Sequence, residues 1–178
     1  MNNCQGHINV NWIILPGLPA DRNVYQFPFK NRRFYSEGLV VEFSVGSNTW
    51  VGNFQKSPNR VDFSAIFSIP FKNNVCVIAG GVAYDVDLYE PGNFSVLFNS
   101  EVIDAFPIQE IELMIFVPFT DLVCIDSTGI RWETENLSRD LISVIKFSAE
   151  LIAVETMDIY TGERKIVTIE TLTGKLIE

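Results

Sequence analysis

Histidine is almost absent from this sequence, and its scarcity excludes much of the usual catalytic and metal chemistry. His7 is the single histidine, and it lies in a polar segment beside Gly6. Histidine is the usual general base and the commonest metal ligand, and a catalytic triad needs a base that its neighbours hold rigidly. We therefore expect no serine–histidine, cysteine–histidine or histidine-ligated zinc chemistry. We predict that the protein is not an enzyme and carries no cofactor.

Cysteine is also scarce, which argues against a disulfide scaffold. The three cysteines are Cys4, Cys76 and Cys124. An odd number without paired spacing is not typical of a disulfide framework or a zinc site. Cys76 and Cys124 lie inside apolar runs, where a thiol usually behaves as a small buried hydrophobic group. We expect both to be buried and free.

Long apolar runs are missing as well. No stretch approaches the 18 or so apolar residues that a membrane-spanning helix needs. The run Trp12–Leu15 is short, ends at Pro16 and follows no positively charged segment, so it does not have the form of a secretory signal. We predict a cytoplasmic protein of a microbial host that does not associate with membranes.

Positive charge is in deficit. The sequence has 13 Lys and Arg against 22 Asp and Glu, which gives a net charge of −9 and a pI of about 4.6. Binding to nucleic acid needs a basic footprint, and this balance is its opposite. The densest positive cluster, Lys30, Arg32 and Arg33, is interpreted as a solvated loop. The acidity fits a protein that meets a basic protein partner.

What the sequence does have is apolar content arranged for strands. It has 178 residues, of which 47% are hydrophobic and 14 are phenylalanine. This length suits one domain, with two packed halves as the main alternative. We predict a single β domain over 1–178, with a less regular segment over 1–37 and a β meander over 38–178.

Alternation and glycine turns indicate many short strands. Leu39 to Val45 alternates with a period of two, and the apolar run 75–79 leads through Gly80-Gly81 into 82–87 as a hairpin. A second hairpin turns through Asp126-Ser127-Thr128-Gly129, where an aspartate typically bonds its own backbone, and the segment 137–147 favours strand over helix because it is rich in β-branched residues. The fold class is therefore all-β: an antiparallel meander of many short strands, propeller-like or sandwich-like.

Aromatic residues recur after the glycine turns. A unit of strand, glycine turn and strand with an aromatic residue appears three times, around Trp50, Tyr84 and Trp132. The separations are uneven, so the pattern is a weak internal echo of the kind that stacked propeller blades leave. We predict that Trp12, Trp50 and Trp132 lie in the core.

One segment carries a resemblance to a known group of proteins. The sequence GIRWETENLSRDLI at 129–142, followed by the turns at Thr161-Gly162 and Thr173-Gly174, is similar to the C-terminal pattern of small uncharacterised bacterial proteins. Those proteins have a Gly…Trp-x-Thr-x-x-Leu-Ser-x-Asp-Gly stretch, and here Leu141 stands where that glycine is expected. The resemblance implies a propeller-blade-type β meander and brings no activity with it.

One acidic cluster is a candidate metal site. Asp85 and Asp87 alternate on one strand, so they share a face, and Glu90 follows in the loop. Converging carboxylates hold Ca²⁺ or Mg²⁺, or act as an acid–base pair. The competing interpretation is a polar strand edge whose charges discourage edge-to-edge pairing.

These observations favour a non-enzymatic protein-binding module, with an immunity-type inhibitor as its specific form. Acidic inhibitors meet basic partners by charge steering. The alternative is a β domain that binds a small molecule or a divalent metal, or an enzyme that uses the carboxylates of Asp85, Asp87 and Glu90. A third interpretation is a homo-oligomer with an unpaired edge strand.

Overall fold

The computed structural model confirms the all-β prediction. It describes residues 10–29, 37–59, 61–139, 141–158 and 160–177. Among these residues, sixteen strands form four sheets of four strands each. Within the described residues, the one helical element is a 3₁₀ turn at Gln109–Ile111.

The contacts divide the chain into two compact units. Unit 1 is Met1–Ser68 with Asn73–Asn99, and unit 2 is Ile69–Lys72 with Ser100–Glu178. Each unit holds two sheets and a hydrophobic core of its own. The prediction of one domain over 1–178 stays a prediction.

Unit 1 contains sheet 1, in the order β1-β3-β4-β2, and sheet 2, in the order β5-β6-β7-β8. The strands are β1 Val10–Ile14, β2 Val24–Phe27, β3 Leu39–Val45, β4 Asn48–Phe54, β5 Ala65–Ser68, β6 Asn74–Ala79, β7 Val82–Asp87 and β8 Phe94–Val96.

Unit 2 contains sheet 3, in the order β12-β11-β10-β9, and sheet 4, in the order β13-β14-β15-β16. The strands are β9 Asp104–Ile108, β10 Leu113–Val117, β11 Val123–Asp126, β12 Gly129–Glu133, β13 Ser143–Phe147, β14 Leu151–Met157, β15 Arg164–Glu170 and β16 Leu176–Ile177.

Both hairpins expected from the glycine turns are present. In the β6–β7 hairpin, pairing runs from Asn74↔Asp87 to Ala79↔Val82, and Gly80 and Gly81 turn the chain with φ of +51° and +84°. Glycine adopts these positive angles without the steric cost that a Cβ brings. The β11–β12 hairpin turns at Ser127-Thr128, and Gly129, with φ of +119°, begins β12 opposite Asp126. Of the segment 137–147, residues 143–147 form a strand as predicted, whereas 137–139 and 141–142 form no strand.

Sheet 1 departs from a simple meander. β2 pairs with β4 in parallel, from Val24↔Val51 to Phe27↔Phe54. Phe27 fixes this strand, because its ring is buried and stacks on Phe54 with centroids 4.2 Å apart and planes at 7°. A parallel pair requires a crossover instead of a tight turn, so no turn signal marks it in the sequence.

A buried tryptophan ties the two sheets together in each unit. In unit 1, the indole N–H of Trp50 on β4 donates to the Leu88 carbonyl just after β7, at 3.1 Å. In unit 2, Trp132 on β12 donates to the Thr171 carbonyl just after β15, at 3.0 Å. The donor and acceptor are 38 and 39 residues apart. For Trp50 and Trp132, the repeated sequence pattern therefore reflects the same intersheet contact, which forms once in each unit.

The core prediction was wrong for Trp12. It lies on β1, at the edge of sheet 1, and its side chain is 37% exposed. Trp50 and Trp132 are buried, as predicted. An edge strand has a neighbour on one side alone, so its large side chains keep part of their surface in water.

Candidate functional site

Asp85, the first residue of the predicted metal cluster, lies on β7 and is nearly buried. Its side chain is 7% exposed, and its Oδ1 accepts a hydrogen bond of 2.6 Å from the Asn74 amide on β6. The position on β7 is the one that alternation predicted, but the carboxylate is engaged within the sheet. Buried polar groups that are hydrogen-bonded in this way support the fold.

Asp87 and Glu90 shape the loop that follows β7. The Asp87 carboxylate accepts the backbone N–H groups of Tyr89 and Glu90, at 2.8 and 2.9 Å. The Glu90 carboxylate accepts the side-chain amide of Asn93 at 2.8 Å. Throughout the part of the chain that the structure describes, no three His, Cys, Asp or Glu side chains are grouped so that they could hold a metal ion. The metal site at Asp85, Asp87 and Glu90 stays a prediction.

The cysteines, the histidine and a basic cluster were also singled out in the sequence. Cys76 and Cys124 are buried, as predicted, and neither forms a disulfide among the described residues; burial raises the pKa of the Cys124 thiol to about 12. The remaining ones lie outside the described residues: Cys4, His7, Lys30, Arg32 and Arg33.

Asp126 forms a turn, as its sequence context predicted. Its Oδ1 accepts the backbone N–H and the hydroxyl of Thr128, at 2.7 and 2.6 Å, and its Oδ2 accepts from Arg131 at 3.1 Å. These donors favour the charged carboxylate, so they lower the pKa of Asp126, with the Thr128 hydroxyl contributing most.

A polar cleft of about 760 Å³ in unit 2 is the candidate binding site. Its lining comes from four separate stretches of sequence, and this is why sequence reasoning missed it. The lining residues are Thr120, Asn136, Leu137, Ser138, Arg139, Thr156, Met157, Asp158, Tyr160, Glu163 and Lys165. A cavity of this size is within the range that binds small molecules.

A tight turn between β14 and β15 builds one wall of the cleft. The Asp158 carboxylate accepts the backbone N–H groups of Tyr160 and Thr161, at 2.8 and 3.0 Å. The same two bonds, Thr161 first, lower the pKa of Asp158. The turn presents the Tyr160 ring to solvent, since 78% of that side chain is exposed. An exposed aromatic ring is a suitable contact for a ligand.

The opposite wall comes from the segment after β12. The Leu137 N–H donates to the Thr120 carbonyl at 2.8 Å, and the Ser138 hydroxyl donates to the Met157 carbonyl at 3.2 Å. These bonds join the segment to both sheets of unit 2. The cleft is therefore framed by backbone that is hydrogen-bonded on both sides.

The charges that line the cleft are balanced. Arg139 and Lys165 are the two cations, and Asp158 and Glu163 are the two anions. The Lys165 ammonium lies 3.7 Å from the Glu163 carboxylate. Together with the hydroxyl and amide groups, this lining suits a polar ligand that both donates and accepts hydrogen bonds.

The net charge of the molecule is distributed very unevenly. Unit 1 holds seven acidic and six basic side chains, a net charge of −1. Unit 2 holds fifteen acidic and seven basic side chains, a net charge of −8. Almost all the acidity noted in the sequence therefore belongs to unit 2, the unit that contains the cleft.

Among the residues whose positions are described, none belongs to a helix long and apolar enough to span a bilayer.

Comparisons with known proteins add a distant structural likeness. No family model matches the sequence, and no curated protein matches it. Among solved structures, the chain is similar to the crystal structure of the N-terminal domain of Nup159, with a TM-score of 0.49 and 14% identity. The match covers 94% of this chain and 49% of that chain, so this chain spans about half the length of its structural neighbour. The resemblance to the small bacterial proteins stays a prediction.

Proposed function

We propose that this protein is a non-enzymatic, cytoplasmic protein-binding module whose unit 2 receives a basic partner. The concentration of charge carries the proposal, since unit 2 has a net charge of −8 and unit 1 of −1. A field of one sign on one part of a molecule raises the rate of encounter with an oppositely charged protein and orients it. The more specific form is an immunity-type inhibitor that neutralises its partner by covering it.

Exposed carboxylates on unit 2 allow a direct test. Glu133 and Glu135 are exposed and alternate with the buried Trp132 and Thr134, so their side chains can be changed without disturbing the core. The test variant is Glu133→Gln with Glu135→Gln. The matched control removes two exposed carboxylates from unit 1, as Glu37→Gln with Asp62→Asn.

The experiment is affinity capture from the native host with the tagged wild-type chain and both double variants. Each variant has the same net charge, so a difference between them reports where the charge was removed. We expect one stoichiometric basic partner on the wild type and on the unit 1 variant, with less of it on the unit 2 variant. A partner retained equally by both variants, or no partner at all, would contradict the proposal.

The cleft favours a second candidate function, the binding of a polar small molecule. Its volume of about 760 Å³ and its mixed donors and acceptors are the supporting observations. Ligand-observed NMR with a library of polar fragments tests it, using Arg139→Gln as the cleft variant. Arg164→Gln is the control, because Arg164 is paired with Glu155 on sheet 4 and does not line the cleft. Fragments that bind the control and lose binding to Arg139→Gln would establish this function, and fragments insensitive to both changes would exclude it.

A further inference from the structure

The strand β1 is an exposed and unusually apolar sheet edge. It is the outermost strand of sheet 1 and pairs with β3 on one side. Its sequence, VNWII, has no charged residue and no proline. Ile13 and Ile14 are 61% and 59% exposed. An exposed apolar edge strand presents unpaired backbone groups and readily pairs with another chain.

Every other sheet edge of comparable length has a protective feature. The edges of five residues are β9, with Asp104 and Pro107, β12, with Arg131 and Glu133, and β13, with Lys146 and a register shift beside it. Charges, proline and bulges are the devices that prevent sheets from joining edge to edge. The remaining edges β2, β5, β8 and β16 have four residues or fewer. Among the described strands, β1 is thus the long edge that lacks such a feature.

The hydrogen-bonding pattern of β1 shows which backbone groups are directed outward. The Leu15 N–H donates to the Val40 carbonyl at 2.9 Å, which continues the β1–β3 ladder by one residue. In an antiparallel pair, alternate residues bond to the neighbour. Asn11, Ile13 and Leu15 therefore bond to β3. The N–H and carbonyl groups of Val10, Trp12 and Ile14 are directed away from it.

These outward groups are complementary to themselves. If two copies of β1 run antiparallel about Trp12, Val10 of one copy lies opposite Ile14 of the other, and each Trp12 lies opposite its equivalent. All three are outward residues, so the pairing forms six backbone hydrogen bonds, two for each opposed pair. On the other face, Asn11 lies opposite Ile13. The register brings no charged residue against another, and it follows the two-fold symmetry of most dimers.

We propose that β1 is the surface through which two copies of this chain pair, antiparallel and edge to edge. Electrostatics favour a second copy here, because β1 belongs to unit 1, whose net charge is −1, and not to unit 2, whose charge of −8 would repel its equivalent. Glu42, on β3 opposite Ile13, is the nearest carboxylate in the pairing register. The two copies of Glu42 are separated by at least three strand spacings, about 14 Å. Salt screens that distance, since the Debye length is about 8 Å at physiological ionic strength.

Sedimentation equilibrium of the wild-type chain and two matched variants tests the proposal. Ile13→Lys introduces a charge at the proposed interface. Ile166→Lys makes the same change on β15, an internal strand, at a side chain of nearly the same exposure, 64% against 61%. We expect the wild type and Ile166→Lys to approach twice the 20.1 kDa of one chain as concentration rises. We expect Ile13→Lys to weaken the dimer at least about tenfold.

The register gives a second and more specific test. Because residue 11 of one copy lies opposite residue 13 of the other, adding Asn11→Glu to Ile13→Lys places opposite charges across the interface and should restore the dimer. Circular dichroism verifies that each variant is folded. Hydrogen exchange of the wild type provides a measurement without any substitution: the amides of Val10, Trp12 and Ile14 should become protected as concentration rises. A monomeric wild type, or a dimer that Ile13→Lys leaves unchanged, would overturn the proposal.

Discussion

At the scale of single residues, Trp50 and Trp132 make equivalent hydrogen bonds in the two units. Trp50 and Trp132 each lie on a strand of one sheet and donate to a carbonyl just beyond a strand of the other. A buried carbonyl that loses its donor carries the desolvation cost of an unsatisfied group. The indole N–H therefore contributes to stability in addition to the apolar ring.

Replacement of either tryptophan by phenylalanine keeps an aromatic ring and removes the donor. We expect Trp50→Phe and Trp132→Phe each to lower the free energy of unfolding by about 1–3 kcal/mol. Urea unfolding followed by circular dichroism provides the measurement. A change near zero in either variant would show that the hydrogen bond is not what links the sheets of that unit.

The turn at Asp126 makes stability depend on pH. Its pKa is lowered by Thr128 and Arg131, which favour the ionised carboxylate. A carboxyl whose folded pKa is lowered contributes stability above its unfolded pKa of about 3.9, and this contribution is lost as pH falls through the lower folded value. The stabilisation is thus present at neutral pH and absent in strong acid.

Asp126→Asn isolates that contribution, because asparagine keeps an acceptor oxygen and cannot carry the charge. We expect the wild type to have a higher urea midpoint than the variant at pH 7. We expect this difference to disappear at a pH well below the ordinary pKa of an aspartate. Midpoints measured across this pH range provide the test. A difference that stays constant, or grows in acid, would contradict the assignment.

At the scale of the element, two glycine turns in sheet 4 have the same backbone angle φ and different surroundings. Gly162 and Gly174 both have φ of +71°. A Cβ on Gly162 would meet no atom within 4 Å, whereas a Cβ on Gly174 would lie 2.6 Å from the ring of Trp132. The two positions share the backbone strain and differ in the space around them.

We expect Gly162→Ala to destabilise the protein by about 1–2 kcal/mol, the cost of the left-handed conformation for a residue with a Cβ. Gly174→Ala should cost about 1–3 kcal/mol more, because the added carbon displaces the Trp132 ring. Chemical unfolding of both variants measures the difference. Equal losses would mean that the ring moves aside freely.

Sequence patterns predicted the elements well where turn chemistry was local. Gly80-Gly81 and Asp126-Ser127-Thr128-Gly129 marked both hairpins correctly, and the β-branched content of 137–147 indicated a strand, which is present over 143–147. The parallel β2 was missed, because crossovers leave no turn motif. Trp12 was misplaced, since period-two alternation shows which face a residue occupies and not whether its strand lies at an edge.

The candidate site was less accessible to sequence reasoning. The cleft joins Thr120, the stretch 136–139 and both sides of the β14–β15 turn, so its residues are close only after sheets 3 and 4 have formed. Locally, the Asp87 and Asp126 carboxylates each accept backbone N–H groups of the turn that follows them. Short polar side chains commonly make such local bonds.

At the scale of the whole molecule, the proposed binding of a basic partner depends on where the acidic side chains are placed. The net charge of −9 was evident in the sequence, but its division into −1 and −8 became visible only with the two units defined. The proposed self-pairing edge lies in the nearly neutral unit, and the proposed partner surface lies in the acidic one. The two proposals therefore fail or succeed independently.

The measurement that tests the central claim most directly is the salt dependence of affinity for the captured partner. Kd is measured at low and raised ionic strength for the wild type and for the variant carrying Glu133→Gln and Glu135→Gln. We predict that raised salt weakens the wild-type complex at least about tenfold, and that the variant loses part of this salt sensitivity. An affinity that is independent of salt, or equally salt-sensitive in both chains, would contradict the claim that the acidity of unit 2 recruits the partner.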